Sequence, residues 1–144
     1  MAITFTPRRG AILMCDFGPD PLDPRTFPLR LPPVSAAPEV WKARRVIVVS
    51  VDRLNHKHGA GPGLCTVVPC SATPPATAGP WDVPFAARSY RSFTKDVWAS
   101  CASLFRVSHA RLDRVIAGQG YRGDFLVPDD MARVEAGIRS ALGL

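Results

Sequence analysis

The sequence predicts a small, mainly β fold that ends in an α-helix. Short apolar segments rich in β-branched residues alternate with turn residues, prolines cluster between those segments, and a helical apolar period emerges only near the C-terminus. Short strands of this kind pack as a sandwich or close into a barrel. A chain of 144 residues can bury one sizeable core, so we expect a single domain over residues 1–144.

Four segments carry the strand pattern. They are residues 11–17 (AILMCDF), 45–51 (RVIVVSV), 64–71 (LCTVVPCS) and 97–107 (VWASCASLFRV). Each is short and bounded by glycine, proline or charged residues, as strands of small β proteins are. We expect Trp81 and Trp98 to lie in the core that these strands enclose.

The prolines mark the loops. Most of the 15 prolines fall in three clusters, at residues 18–39, 59–63 and 73–84. The first cluster has neither a helical nor a strand period and predicts a long irregular loop. Loops longer than about 15 residues in a small domain are usually functional lids or mobile segments, so we expect this one to flank the functional site.

The C-terminal segment has the period of a helix over residues 128–142. Met131, Val134 and Ile138 recur at helical spacing, and Pro128 suits the first helical position. Two aspartates follow Pro128 and favour the positive N-terminal end, while Gly143 can terminate the helix. Its apolar stripe is expected to pack on the strands.

The charge balance points to an acidic partner. The chain has 18 Lys and Arg against 12 Asp and Glu, a formal net charge of +6. Nucleic acid is the first candidate and an acidic protein the second. A membrane is not expected, since no apolar run approaches the roughly 20 residues of a spanning helix. The N-terminus does not have the order of a secretory signal, which predicts a cytoplasmic protein.

The four cysteines are expected to be reduced core residues. A zinc site built from His56, His58, Cys65 and Cys70 is the alternative. However, the two cysteines are spaced along one strand pattern and not as a Cys-x2-Cys knuckle. We therefore expect no metal and no cofactor.

Several segments, in their order along the chain, resemble the MazF/PemK family of toxins from type II toxin-antitoxin systems. They are RGAILMCDFGP, KARRVIVVS, CTVVPCSATPP, HARLDRV and the closing VPDDMARVEAGIRSALGL. The resemblance implies a small SH3-like antiparallel barrel of about five to seven strands with a C-terminal helix. It also implies a homodimer with an RNA groove, metal-independent endoribonuclease activity on single-stranded RNA, and a cognate acidic antitoxin as the controlling partner.

The resemblance assigns the catalytic roles to Arg44 and Ser71. A metal-independent ribonuclease uses the 2′-hydroxyl of its substrate as nucleophile and must stabilise a phosphorane that gains negative charge. The Arg44 guanidinium can bind two phosphoryl oxygens and stays charged at neutral pH. The Ser71 hydroxyl can donate a hydrogen bond to a phosphoryl oxygen. A rim ion pair for Arg44 and a turn-forming role for Ser71 are the structural alternatives.

Four neighbouring residues are expected to bind the substrate. Lys42 and Arg45 would contact flanking phosphates, and Thr73 lies beside Ser71. Trp41 could stack on a base or, as the structural alternative, lie partly buried in the core. The loop NHKHG, with His56 and His58, offers imidazoles that could shuttle protons, although loop histidines usually have no such role. In HARLDRV, we expect Leu112 in the core and Arg111 paired with a carboxylate.

The chain departs from the family pattern at two places. Arg45 stands where relatives have proline, so Arg44 and Arg45 could exchange roles. Ser100 and Ala102 replace the lysine and the acid of a W-x-K-G-D segment. The second departure keeps open a catalytically weakened barrel that only binds RNA or an acidic protein. A gyrase poison like the CcdB toxins is a third possibility, with slight support from the C-terminal SALGL.

Overall fold

The computed structural model describes residues 3–18, 42–117 and 120–144, with the backbone alone at residues 117 and 120–122. The described strands are β1 (Ala11–Asp16), β2 (Ala43–Val48), β3 (Leu64–Ser71), β4 (Asp82–Phe85), β5 (Val97–Ser100), β6 (Phe105–Ser108), β7 (Leu112–Asp113), β8 (Val115–Ala117), β9 (Gly120–Arg122) and β10 (Asp124–Phe125). The helix α1 spans Pro128–Leu142. Most of the proline-rich segment predicted as a long loop, residues 18–39, lies outside the described residues.

Eight strands form one antiparallel sheet with the order β10-β1-β2-β3-β5-β4, in which β6 also pairs with β3 and β7 with β1. The strands β8 and β9 form a separate two-stranded ribbon. The predicted class, a mainly antiparallel β fold with a C-terminal helix, is confirmed. The sheet is open, because β10 and β4 end the strand order without pairing with each other. The described strands are also more numerous than the five to seven that we expected.

The strand β3 joins the two parts of the sheet. One edge pairs with β2 through Val46↔Pro69, Ile47↔Val68 and Val48↔Val67. The other edge pairs first with β6, up to Val67↔Phe105, and then with β5 through Cys70↔Ala99 and Ser71↔Trp98. The segment predicted as one strand over residues 97–107 is therefore two strands, separated by a turn in which the Ser103 N–H donates to the Ser100 carbonyl at 3.0 Å.

The two faces of the sheet bury separate apolar clusters. The first cluster packs under α1 and includes Ile12, Ile47, Val68, Phe93 and Val134. The second lies on the opposite face and includes Leu13, Cys15, Val46, Val67 and Leu112. Because side chains alternate along a strand, neighbours such as Val46 and Ile47 enter different clusters. Leu112 is buried, as predicted.

All four cysteines are free and buried, as expected from the sequence. Burial raises the pKa of Cys70 to about 12, so its thiol stays protonated at neutral pH. Cys65 and Cys70 belong to opposite clusters and cannot reach a common ion. Within residues 3–18, 42–117 and 120–144, no group of three or more His, Cys, Asp or Glu side chains is arranged to hold a metal ion.

The helix α1 has the predicted bounds. Pro128 is its first residue, and Gly143 ends it in a left-handed conformation with φ of 72°, its N–H donating to the Arg139 carbonyl. This φ favours glycine. Val134 is fully buried against the sheet. In the described part of the chain, no helix has both the length and the apolar character needed to cross a bilayer.

Trp81 does not lie in the core. Its side chain is 40% exposed and its ring lies against Gly79, where a Cβ would meet Trp81 Cε2 at 2.4 Å. Trp98, also expected in the core, is only partly buried. The sequence identified both as apolar residues of the β region, but Trp98 lies on the face of β5 opposite its buried neighbours Val97 and Ala99.

Gly137 lies close to Val83 of β4 and to Cys101, and it gives a test of how α1 packs. A Cβ at Gly137 would lie 2.8 Å from Cys101 Sγ and 2.9 Å from Val83 Cγ2. We expect Gly137→Val to lower the free energy of unfolding by about 1–3 kcal/mol through overpacking. Urea unfolding followed by circular dichroism measures it. Gly123→Val is the control, because its Cβ would meet nothing within 4 Å, and an equal loss in both variants would contradict the described packing.

Candidate active site

Arg44 and Arg45 lie inside β2 and point to opposite faces of the sheet. The strand begins at Ala43, two residues before the predicted start. Arg44 pairs with Cys15, a member of the second cluster, whereas Arg45 pairs with Met14, which packs against the first. Directly opposite residues share a face. The two arginines therefore cannot approach the same phosphate from one side of the sheet.

The β2–β3 register brings Arg44 and Ser71 to one face. When this register is extended by two residues past the Val46↔Pro69 pair, Arg44 of β2 lies directly opposite Ser71 of β3. Their inward neighbours agree with this: Val46 and Val67 both enter the second cluster, while Cys70, adjacent to Ser71, enters the first. Both Arg44 and Ser71 are half-buried. Directly opposite residues in antiparallel strands have Cα atoms about 4.5–5.5 Å apart.

Ser71 closes a turn with Thr73. The Thr73 N–H donates to Ser71 Oγ at 3.1 Å, and the Ser71 hydroxyl reaches the Thr73 carbonyl only at 3.4 Å. The first contact is strong enough to fix the oxygen, while the second is long for a hydroxyl hydrogen bond. The hydroxyl proton can therefore turn towards a phosphoryl oxygen while the serine also serves the turn-forming role.

Two aromatic residues missed by sequence reasoning lie on the Arg44 face. Phe17 and Phe105 pack with ring centroids 5.0 Å apart at the edge of the second cluster. The Phe17 N–H donates to the Lys42 carbonyl at 3.0 Å, which places the pair beside the start of β2. Apolar rings next to a cation reduce the local dielectric and strengthen its attraction to an anion. The signal for Phe17 was present in its motif, but its contact with Phe105 depends on the fold.

The remaining predicted binding residues surround the start of β2. Lys42 is exposed, with a left-handed φ of 57°, and its N–H donates to the Gly18 carbonyl at 2.8 Å. Thr73 is exposed beside Ser71. Trp41, predicted to stack on a base, lies outside the described residues. The structure thus brings Lys42, Arg44 and Thr73 to one end of the β2–β3 pair.

Arg45 lines a cavity of about 470 Å³ on the other face of β2. Its wall carries charges of both signs, from Arg45, Asp16, Arg111, Asp113 and Arg114. The Nε atom of Arg45 is buried and has no hydrogen-bond partner among the residues that the structure describes. Arg111 donates from Nη1 to the main-chain carbonyl of Asp16 at 2.9 Å, a main-chain acceptor in place of the expected carboxylate.

The imidazoles lie far from Ser71. His56 Nδ1 accepts a hydrogen bond from the Leu64 N–H at 3.0 Å, at the start of β3, whereas Ser71 ends that strand. The length of β3 separates these ends by roughly 23 Å. His58 stacks on the buried His109 at 5.8 Å, and His109 Nε2 contacts the Asn55 carbonyl at 2.7 Å. The histidines therefore hold a loop in place, and the proton-shuttle alternative has no geometric support.

The residues that replace the family's lysine and acid lie at the end of β5. Ser100 is half-buried in the last position of β5, and Ala102 is exposed in the turn that leads to β6. Neither provides a charge near Arg44. The cationic end of β2 therefore lacks the carboxylate that this turn would have supplied.

The fold and this site define a small antiparallel β protein with a cationic strand end. Similar solved structures include MazF from Deinococcus radiodurans, with a TM-score of 0.62 and 18% identity, covering 96% of this chain and 98% of that one. A mycobacterial endoribonuclease in complex with its cognate antitoxin gives a TM-score of 0.58 and 16% identity, with 96% of each chain covered. The MazE–MazF complex from Deinococcus radiodurans gives 0.56 and 16%, covering 96% of this chain and 97% of that one.

The family model for the PemK-like, MazF-like toxin of type II toxin-antitoxin systems matches residues 8–142. The chain therefore belongs to this toxin family, as the motifs predicted. No curated protein matches it in a sequence comparison.

Arg45 Nε is buried without an acceptor in the described part of the chain, and this gives a stability prediction. A buried N–H without an acceptor is destabilising. We expect Arg45→Met, which keeps an apolar stem beside Met14, to leave the free energy of unfolding unchanged or raise it by about 1 kcal/mol. Chemical denaturation measures this.

Arg133→Met is the matched control for Arg45→Met. Arg133 pairs with Asp130 at 3.0 Å and lies over the Phe85 ring, 5.0 Å from its centroid. Loss of these contacts in Arg133→Met should lower the free energy of unfolding by up to about 1 kcal/mol. If Arg45→Met destabilises the protein as much as Arg133→Met, Arg45 has a structural role that these contacts do not explain.

Proposed function

We propose that this toxin is an endoribonuclease that cleaves single-stranded RNA without a metal ion, with Arg44 and Ser71 at the scissile phosphate. The observation that carries the proposal is the register that sets these two residues across from each other on one face of β2 and β3. The endoribonuclease and MazF structures with the same fold support it. The position of Arg45 on the other face of β2 supports Arg44 as the arginine at the scissile phosphate.

The reaction is an attack of the 2′-oxygen of the substrate on the adjacent phosphorus. The P–O5′ bond breaks, leaving a 2′,3′-cyclic phosphate and a 5′-hydroxyl. The Arg44 guanidinium binds the non-bridging oxygens as their negative charge grows, and the Ser71 hydroxyl donates a hydrogen bond to one of them. As a guanidinium, Arg44 cannot accept the 2′-hydroxyl proton, which passes to solvent water. Arg44 instead donates a proton towards the leaving 5′-oxygen and regains it from solvent.

The surrounding cations bind the flanking chain. Lys42 contacts a phosphate next to the scissile one, and Arg45 contacts the RNA chain where it passes the start of β2 to the opposite face. Thr73 contacts the substrate beside Ser71, and Trp41 stacks on a base. The toxin acts on cytoplasmic RNA as a homodimer whose two sites share a groove. Size-exclusion chromatography with light scattering tests the dimer directly.

An acidic antitoxin controls this site in our proposal. The net charge of +6 favours an acidic partner, and solved structures of the same fold include complexes with a cognate antitoxin. An acidic segment placed on the Arg44 face would occupy the cations that otherwise bind RNA. Inhibition and substrate binding would then be mutually exclusive.

A second candidate function is RNA binding with weak or no cleavage. Ser100 and Ala102 support this candidate, because they stand where the family pattern has a lysine and an acid, at the end of β5 and in the turn that follows it. If that acid orients the catalytic arginine in relatives, this chain orients Arg44 without it. The two candidates differ in the fate of bound RNA and not in the residues that bind it.

Cleavage of a long single-stranded RNA in EDTA tests the proposal. We expect cuts at recurring sites with 5′-hydroxyl ends, reduced by at least about a hundredfold in Arg44→Ala, since removing one preorganised donor to a developing oxyanion costs roughly 10²–10³ in rate. Ser71→Ala should lose less, because one neutral hydrogen bond is weaker than a charged one. Mapping of 5′ ends and initial rates are the measurements.

Arg139→Ala is the control, because Arg139 is exposed in the last turn of α1. RNA that is retarded but uncut would select the binding function. Damage confined to gyrase-dependent supercoiling would select a gyrase poison, and cleavage that depends on a divalent ion would refute the metal-independent step.

The flanking cations give a salt-dependence prediction. Each phosphate contact to a single strand contributes about 0.7 to the slope of log affinity against log salt. We expect Lys42→Gln with Arg45→Gln to lower that slope by about 1.4 while weakening binding to all sequences alike. Fluorescence anisotropy on a 2′-deoxy substrate measures it without cleavage. Arg53→Gln with Arg139→Gln makes the same charge change on other exposed residues and should leave the slope unaltered.

A further inference from the structure

A second cavity, of about 530 Å³, lies between the end of the β4–β5 pair and the first turns of α1. Its wall includes two aromatic side chains, other apolar surface and a few polar groups, from Trp98, Phe85, Pro84, Ser89, Asp96 and Arg133. It is distinct from the cavity of Arg45, with which it shares no residue. A cleft with an aromatic wall and few polar groups suits a planar ligand such as a nucleobase.

Trp98 connects this cavity to the candidate catalytic residues. It lies directly opposite Ser71 on β5, and Pro84 of β4 lies opposite Trp98 on its other side. Cys70, Ala99 and Val83, the neighbours of these three, are all buried in the first cluster. Ser71, Trp98 and Pro84 therefore form a row on the other face of the sheet, and the β2–β3 register adds Arg44 to its end.

We propose that Trp98 stacks on the base of a nucleotide adjacent to the scissile phosphate and that this base enters the β4–β5 cavity. The inference rests on the proposed endoribonuclease function and adds a specificity subsite to it. Trp98 is one strand away from Ser71, so a phosphate held by Arg44 and Ser71 has its neighbouring nucleoside over the Trp98 ring. Trp98 is partly exposed, which leaves part of that ring open for stacking.

Asp96 gives the subsite a base preference. Its Oδ1 accepts from the Ala87 N–H at 2.7 Å, and its Oδ2 makes no hydrogen bond within the described ranges. Asp130 and Arg133, in the same wall, already pair with each other at 3.0 Å, and Asp130 also accepts from the Tyr90 hydroxyl at 2.7 Å. The exposed Asp96 carboxylate is therefore the polar group best able to contact a base.

A carboxylate accepts hydrogen bonds and cannot donate them. Guanine presents two adjacent donors, N1–H and N2–H₂, on its Watson–Crick edge. Adenine and cytosine each set one amino donor beside a ring acceptor, and uracil has one donor between two acceptors. The subsite therefore selects guanine.

The experiment uses the full-length toxin and a pool of single-stranded RNA, with mapped 5′ ends and kcat/KM on oligonucleotides that carry each base at the flanking positions. We expect Trp98→Ala to lower kcat/KM by about ten- to a hundredfold, with most of it restored in Trp98→Phe. Asp96→Asn should reduce the guanine preference by about tenfold or more while leaving the rate on other bases nearly unchanged. Trp81→Ala, which removes an exposed tryptophan outside the cavity, is the control.

The outcomes separate the subsite from the function on which it rests. A wild-type protein that cuts no RNA refutes the endoribonuclease, and binding of a 2′-deoxy guanine oligonucleotide, weakened by Trp98→Ala, would then still support the subsite. A wild-type protein that cuts RNA, with Trp98→Ala cutting the same sites at the same kcat/KM, overturns the subsite alone. If Trp98→Ala fails to fold by circular dichroism, Trp98→Phe and Asp96→Asn decide, and an unaltered base preference in Asp96→Asn overturns the assignment of guanine.

Discussion

The pairing of β2 with β3 is the constraint on which the site depends. Val46 and Val67 enter one apolar cluster, and Ile47 and Val68 enter the other. A slip of one residue would exchange the two sets and expose both to the wrong face. The burial of these four side chains thus fixes which arginine faces Ser71. Apolar contacts outside the site therefore position it, through two buried residues in β2 and two in β3.

The parts of the fold that the sequence predicted well are those with a long, unbroken period. The strand β3 has the predicted bounds because eight residues of apolar and β-branched type lie between turn signals, and α1 has them because Pro128 and Gly143 mark its ends. The strands β7 to β10 are two or three residues long, too short to show a period. The strand β4 was assigned to a loop because it contains Pro84, which an edge strand with one partner tolerates.

The site was predictable only where it is continuous in sequence. Arg44 and Ser71 come from two motifs whose spacing within each strand is visible in the chain. The Phe17–Phe105 pair and the Ser71↔Trp98 pair join residues that lie far apart in sequence. No local pattern distinguishes Trp98 from Trp81, yet one lies opposite a candidate catalytic serine and the other covers Gly79. The difference arises from strand pairing, which depends on long-range contacts.

The arginine that replaces the family's proline acts differently from its neighbour because of strand alternation. Arg44 lies on the face of the Phe17–Phe105 pair, where apolar rings strengthen its attraction to a phosphate. Arg45 shares a cavity wall with two aspartates, whose negative charge offsets part of its own. A guanidinium that has carboxylates nearby helps to attract RNA from a distance more than it stabilises the negative charge of a bound transition state. The extra arginine therefore extends the basic surface to the opposite face at the start of β2 and leaves the charge at the scissile phosphate to Arg44.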